Sequence, residues 1–227
     1  MRKAVEDYNM IEDGDRIAVG VSGGKDSLTL LTVLRSLQDF FPKKFEIEAI
    51  TLTMGIGEFD LTPVKELCSK IGVNYTIEET LIGKIVFEER QEKNPCSLCA
   101  NLRRGALHNV AKRLNCNKVA LGHHRDDVIE TLLLSTFYVG RFHTFSPVTH
   151  LERKDLYLIR PLIYTEEREI KGFVKSYGLQ TVPSPCTVNG ATKRQYIKEL
   201  LLQMSKDNRE IKSNIFGAVK RSGIDAW

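Results

Sequence analysis

Apolar positions alternate between two periods along this chain, and the alternation predicts its elements. Arg16 to Val21 is a run of strand length, apolar from Ile17 onward. Leu28, Leu31, Val33 and Leu34 then repeat at helical spacing to about Gln38. The same exchange recurs. FEIEAITLT, Phe45 to Thr53, reads as a second strand, and Val64, Leu67, Cys68 and Ile71 mark a helix from Pro63 to Gly72 in which Cys68 is a core residue. A third strand, Asn74 to Glu79, leads to a short polar helix, Ile82 to Glu92, and a longer helix runs from Ala100 to about Leu114. A fourth strand, Lys118 to Gly122, opens a helix through Val128, Ile129, Leu132, Leu133 and Phe137. A fifth, Leu156 to Ile163, precedes a helix from Thr165 to Gly178. Strand and helix in alternation predict an α/β fold with a doubly wound parallel five-stranded sheet. Residues 1–182 form the expected main domain, and 183–227 form a small C-terminal appendage of basic helices, Thr192 to Met204 and Ile211 to Val219.

Composition narrows the setting. With 227 residues, 42% hydrophobic and 27% charged, the chain suits one sizeable core. It has no apolar run of membrane-spanning length, and acidic residues stand where a signal peptide would be apolar, so a cytoplasmic location is expected. A net charge of +4 permits an anionic partner such as RNA without requiring one. Five cysteines, an odd number with no export signal, point to metal or redox use rather than a disulfide framework.

The chemistry gathers where strands end. After the first strand comes Ser22-Gly23-Gly24-Lys25-Asp26-Ser27 at a helix start. Glycines let an anion approach backbone N–H groups closely, the helix dipole adds favourable charge, and Ser22, Lys25 and Ser27 supply further donors. The spacing excludes both GxxxxGK[ST] and GxGxxG. Leu52 and Thr53, at the carboxyl end of the second strand, stand where an adenine would meet backbone groups, or belong to a plain loop.

Cys96-Ser97-Leu98-Cys99 places two thiols at the mouth of a helix, where they reach one metal and where the helix N-terminus favours thiolates. Arg103 falls near the middle of the apolar stripe of that helix, and either emerges beside the phosphates or snorkels to solvent. Arg104, His108 and Lys112 make a basic row read as the opposite face, a solvated surface or an RNA track. Asp126 and Asp127, with Glu130 and Thr131 one turn on, either cap their helix or hold magnesium. His123 and His124, being adjacent, are not read as a metal pair.

SGGKDS directly after a strand resembles the PP-loop of the ATP pyrophosphatases. Together with PCSLC running into LRRG, LGHHRDD followed by ET, IRPL before an acidic helix, and a late PC, the chain resembles the tRNA 2-thiocytidine synthetases, the TtcA-like branch of that family. The resemblance covers nearly the whole chain and implies a PP-loop fold, a homodimer and ATP-dependent thiolation of tRNA at a cytidine of the anticodon loop. It implies ATP and Mg²⁺ at Ser22, Gly23, Gly24, Lys25, Asp26 and Ser27, with Gly122 and Asp127 lining the nucleotide site and Arg103 and Asp127 as catalytic groups. It further implies a 4Fe-4S cluster on Cys96, Cys99 and Cys186, fed by a sulfur donor system, cysteine desulfurase or sulfide. The loop MGIGEFD is shorter than expected in that family, and Ser135 stands where Asn is usual. A competing reading is an enzyme activating another base or acceptor, with zinc on the three cysteines and His143 or His150 as fourth ligand.

Overall fold

The computed structural model describes residues 1–57, 59–90, 95–183 and 193–227. In chain order the main elements are α1 (Arg2–Asp7), β1 (Asp15–Gly20), α2 (Lys25–Gln38), β2 (Phe45–Leu52), α3 (Thr62–Ile71), β3 (Asn74–Glu78) and α4 (Ile82–Lys84). They continue with α5 (Pro95–Arg113), β4 (Lys118–Ala120), α6 (Arg125–Val139), β5 (Val148–Leu151), β6 (Leu156–Ile159), α7 (Glu167–Tyr177), α8 (Lys193–Asp207) and α9 (Ile211–Ser222).

The sheet runs β3-β2-β1-β4-β6-β5, parallel except that β5 pairs antiparallel with β6. The expected doubly wound α/β fold is present, with six strands rather than five. The extra strand is the hairpin partner β5, four residues joined to β6 through a 3₁₀ turn at Glu152–Lys154 and Asp155 at φ 45°. So short a strand, just after Pro147, carries too few positions for alternation to declare it. The neighbouring expectation also shortens, because Pro161 has no N–H for the ladder and β6 stops at Ile159 instead of Ile163. The polar helix expected over residues 82–92 is the short α4 followed by a π turn, Ile85–Glu89.

Both faces of the central strands are covered, and Ile17, Ala18 and Val19 are fully buried as parallel strands require. One layer holds α2, α6 and the helices around them, whose Leu28, Leu31, Val128 and Ile129 share a core with Ile197, Leu201, Phe216 and Val219 of α8 and α9. The other layer is α5, whose Leu107, Val110 and Ala111 pack on Ile50, Val119 and Leu158. Chain order reverses between β1 and β4, so the crevice of this sheet opens at their carboxyl ends. Among the described residues no helix is long and apolar enough to cross a membrane.

Candidate active site

The loop after β1 is shaped by close approaches. Gly23 sits at φ +77°, and a Cβ there would lie 2.9 Å from the Cβ of Val182, whose N–H donates to the Gly23 carbonyl at 2.9 Å. Only glycine fits both conditions. Gly122, after β4, backs onto the first turn of α2, where an added Cβ would stand 3.1 Å from the Asp26 carbonyl carbon. Gly24 is the N-cap of α2, with no side chain capping it. Ser27 Oγ accepts from Ser22 N–H at 3.1 Å and donates to the Gly24 carbonyl at 3.0 Å, which rounds the loop into a cradle. Uncapped N–H groups at such a helix start suit an anion.

Lys25 Nζ holds Asp26 at 2.8 Å and Glu167 of α7 at 3.1 Å. Burial works against its charge, yet those two carboxylates keep its pKa above the ordinary lysine value. Burial would raise Glu167, but Lys25 and Lys198 overcome it and bring the carboxyl down to about 2. The ion pairs continue through Lys198 to Glu130 at 3.6 Å, then through Arg194 to Glu130 at 2.8 Å and Asp127 at 3.4 Å. Glu130 is buried deeply enough that its pKa is raised in spite of both cations. The loop is thereby tied to α6, α7 and α8.

Asp126 and Asp127 are committed to the fold. Asp127 Oδ2 accepts the His124 N–H at 3.0 Å and caps α6, while Asp126 accepts the Glu167 N–H at 2.8 Å and pairs with Lys212 at 2.7 Å. Of the two readings of these acids, capping is the one the geometry favours. Among the described residues no group of three or more His, Cys, Asp or Glu side chains is arranged to hold a metal ion. Buried His124 stands between the loops, its Nε2 3.6 Å from Asp26 and 3.5 Å from Asp127.

Thr53 lines a cavity of about 490 Å³ at the carboxyl ends of β2 and β3, together with Met54, Gly55, Phe59 and Thr80. Its N–H donates to Glu78 O at 2.9 Å, and its carbonyl accepts from Thr80 Oγ1 at 2.6 Å. Leu52 packs instead toward the apolar cluster under α5.

Cys96 lies in the first turn of α5 and Cys99 at the start of the second, the helix beginning at Pro95 rather than Ala100. Cys96 is exposed, and Cys99 is seated against Ile82 and Val86, with Met54 of the cavity wall in the same cluster. The two thiols therefore stand at the same edge of the sheet as the loop after β1. Burial pushes the thiols of Cys68 and Cys116 up to about 11 and leaves them inert. Cys186 lies outside the described residues. His143 is beside Asp225 and His150 is stacked on Tyr157, so neither is brought to the CxxC as a zinc ligand.

Arg103 is exposed, although it lies on the side of α5 that buries Cys99, Leu107 and Val110. The reading of Arg104, His108 and Lys112 as an outward row is corrected at His108 alone, Arg104 and Lys112 being exposed. His108 is buried at 5% exposure, and burial with Lys154 and Arg104 nearby pushes its pKa down to about 4. That flank faces the hairpin of β5 and β6, where Lys112 Nζ reaches Asp155 O at 3.4 Å, and without β5 the sequence left it uncovered. Sequence reasoning also gave no role to His123, Arg160 or Glu167, and read Arg194 and Lys198 only as part of the basic C-terminal helices, whereas both pair with Glu130. The IRPL motif was the one local signal for Arg160, an arginine just before a strand-breaking proline.

A model of the PP-loop domain matches residues 1–205. The tRNA-cytidine(32) 2-sulfurtransferase of Geobacter sulfurreducens is 40% identical over 96% of this chain and 86% of its own. That of Pelobacter propionicus is 41% identical over 96% and 82%. Among solved structures, the U34-tRNA thiolase NcsA of Methanococcus maripaludis with its [4Fe-4S] cluster superposes with a TM-score of 0.79, at 24% identity, covering 97% of this chain and 76% of that one. A phosphoadenylyl-sulfate reductase of Candida auris reaches 0.52 at 10% identity, covering 79% and 80%. At these identities the two structures speak to the fold.

Proposed function

This chain belongs to the PP-loop domain family and, within it, to the tRNA-cytidine(32) 2-sulfurtransferases, and on that premise we propose that it uses ATP to replace the C2 oxygen of that cytidine by sulfur. One observation carries the reading. A phosphate-accepting helix start and a pair of thiols occupy the same edge of one sheet, on either side of its crevice. The first suits activation of an oxygen, and the second suits delivery of sulfur.

Oxide is too poor a leaving group to be displaced from a pyrimidine directly. In the proposed reaction the C2 oxygen attacks the α-phosphorus of ATP and pyrophosphate departs. Sulfide then adds at C2, and AMP leaves with the former oxygen, so no net oxidant or reductant is needed. The N–H groups of Gly24 and Lys25, with the hydroxyls of Ser22 and Ser27, hold the departing phosphates. Lys25 turns from Asp26 and Glu167 toward them, with Mg²⁺ neutralising the remaining charge. Asp26 stays beside His124, and Gly122 keeps the wall of the site thin. The adenine enters the cavity beside Thr53, meeting the backbone that follows because Thr53's own groups are engaged. Asp127 fixes the entrance of α6, and Arg103, exposed and without an ion pair among the described residues, is free to meet the activated base.

The thiols fit a thiophilic metal group, since Cys96 opens to solvent while Cys99 sits in an apolar wall. Cys96, Cys99 and Cys186 would hold a 4Fe-4S group, which would supply sulfide-level sulfur at this edge of the sheet. The reading includes a homodimer and a sulfur source, cysteine desulfurase or sulfide, in the cytoplasm where tRNA is modified. Anaerobic purification followed by iron, sulfide and zinc analysis tests it. About four irons and four sulfides per chain, lost in Cys96→Ala, Cys99→Ala and Cys186→Ala, are expected. Zinc without iron, retained in Cys186→Ala, would refute the sulfur-delivery half.

A further inference from the structure

Arg160 is an unusual residue to bury. It is 7% exposed at the carboxyl end of β6, and its Nη1 donates to Ser146 O at 2.6 Å and Thr149 Oγ1 at 3.2 Å. Its Nε is buried with no partner, and its guanidinium lies 5.0 Å from the centre of the Phe145 ring. No carboxylate pairs with it among the described residues. A guanidinium withdrawn from water regains little from two neutral acceptors and a ring, so a charge held this way is normally matched by an anion.

The surroundings deepen the imbalance. Arg104, exposed on α5 and likewise without a carboxylate among the described residues, stands one turn before Leu107, which packs with Leu158 of β6 two residues before Arg160, and its charge adds to burial in lowering the Arg160 pKa to about 10. His123 lies against the other contact of Arg160, its ring 4.6 Å from that of Phe145 and tilted 35° to it, and its Nδ1 is buried without a partner. Burial and the Arg160 charge push His123 down to about 4, so it supplies no further cation at neutral pH. His123 immediately precedes His124, which touches Asp26 and Asp127. The imbalance therefore borders the nucleotide site, while the cations around Lys25 are already matched by acids.

We infer that Arg104 and Arg160 form an anion seat for a backbone phosphate of the RNA strand beside the nucleotide being modified. The inference rests on the tRNA reading above. Arg104, in solvent, meets the phosphate first, and Arg160 completes the seat from behind with a fork whose orientation Ser146, Thr149 and Phe145 fix in advance. Such a contact positions the strand and carries no base specificity.

The test is binding of a fluorescent anticodon stem-loop RNA to the full chain, purified anaerobically with its metal, across a salt series, with MgATP affinity measured in parallel. Arg104→Gln changes an exposed residue and retains the fold, as its melting temperature will report. It is expected to bind the RNA about tenfold more weakly, with the slope of log K against log salt smaller by roughly 0.7, the value of one single-strand phosphate contact. MgATP affinity is unchanged, and Arg104→Lys restores the salt slope. Arg160→Lys, which keeps the charge and loses the fork, weakens RNA binding in the same direction. Wild-type RNA affinity and slope in Arg104→Gln would overturn the inference and leave thiolation standing. Weaker ATP binding in its place would assign the seat to the nucleotide and also overturn it. Failure of the wild type to bind the stem-loop would sink both this inference and the tRNA reading beneath it.

Discussion

Around the loop after β1, Lys25, Glu167, Lys198, Glu130, Arg194 and Asp127 form a continuous chain of ion pairs. Across the crevice, Arg104 and Arg160 share no carboxylate among the described residues, and the histidines beside them, His108 and His123, are held neutral by burial. In the proposed reaction the first region handles an anion that is gripped and then released as pyrophosphate. Its acids, which hold Lys25 in the structure, would take one another's cations when Lys25 turns away. The second region has no such internal substitute, so its balance must come from outside. Charge that is matched within the protein supports turnover, and charge left unmatched marks where a partner docks.

The largest expected effect comes from removing the cation at the centre of the balanced region. Lys25→Ala should lower AMP release by about 10²–10³-fold while RNA affinity stays near wild type, because the two regions bind different anions. Equal loss of both functions would erase the distinction between them.

Acid should act on the unbalanced side next. His108 and His123 have folded pKa values of about 4 against 6.5 for the ordinary group, so between those values the unfolded chain binds protons that the folded one refuses. Their contribution is complete above pH 6.5 and declines as pH falls toward 4, on the order of 3 kcal/mol for each histidine. Chemical denaturation at pH 7 and pH 4.5 measures the loss, and His108→Gln should flatten the dependence.

Glu167 gives a smaller window of the same sign, displaced to lower pH. Its folded pKa of about 2 lies below the ordinary 4.5, so its stabilisation is complete above 4.5 and is lost as pH falls through about 2. Glu167→Gln should therefore destabilise by about 1–2 kcal/mol at pH 7 and by almost nothing near pH 2, read by the same denaturation series. The smallest change in stability belongs to Arg103. Being exposed and free of ion pairs among the described residues, Arg103→Gln should leave stability within about 0.5 kcal/mol of wild type while slowing thiolation about tenfold.

What the sequence made legible was local. The loop after β1 could be read because glycine, helix start and strand end fall within nine consecutive residues, and buried Cys68 because its helix repeats. The acids at 126 and 127 were ambiguous, since capping and metal binding use the same residues, and only the positions of the His124 N–H, the Glu167 N–H and Lys212 separate them. β5 was invisible at four residues, and its absence left one flank of α5 uncovered, turning buried His108 outward. The ion-pair chain was out of reach for another reason. Glu130 and Arg194 are 64 positions apart, and no local period reports a pairing at that range.

The most direct test of the account joins its two halves in one flask. Unmodified tRNA, ATP, Mg²⁺ and sulfide are incubated anaerobically with the metal-loaded protein, and 2-thiocytidine and AMP are measured together. One AMP is expected for each 2-thiocytidine formed, with both products lost in Lys25→Ala. Thiocytidine without AMP, or AMP with no sulfur entering the RNA, would contradict it.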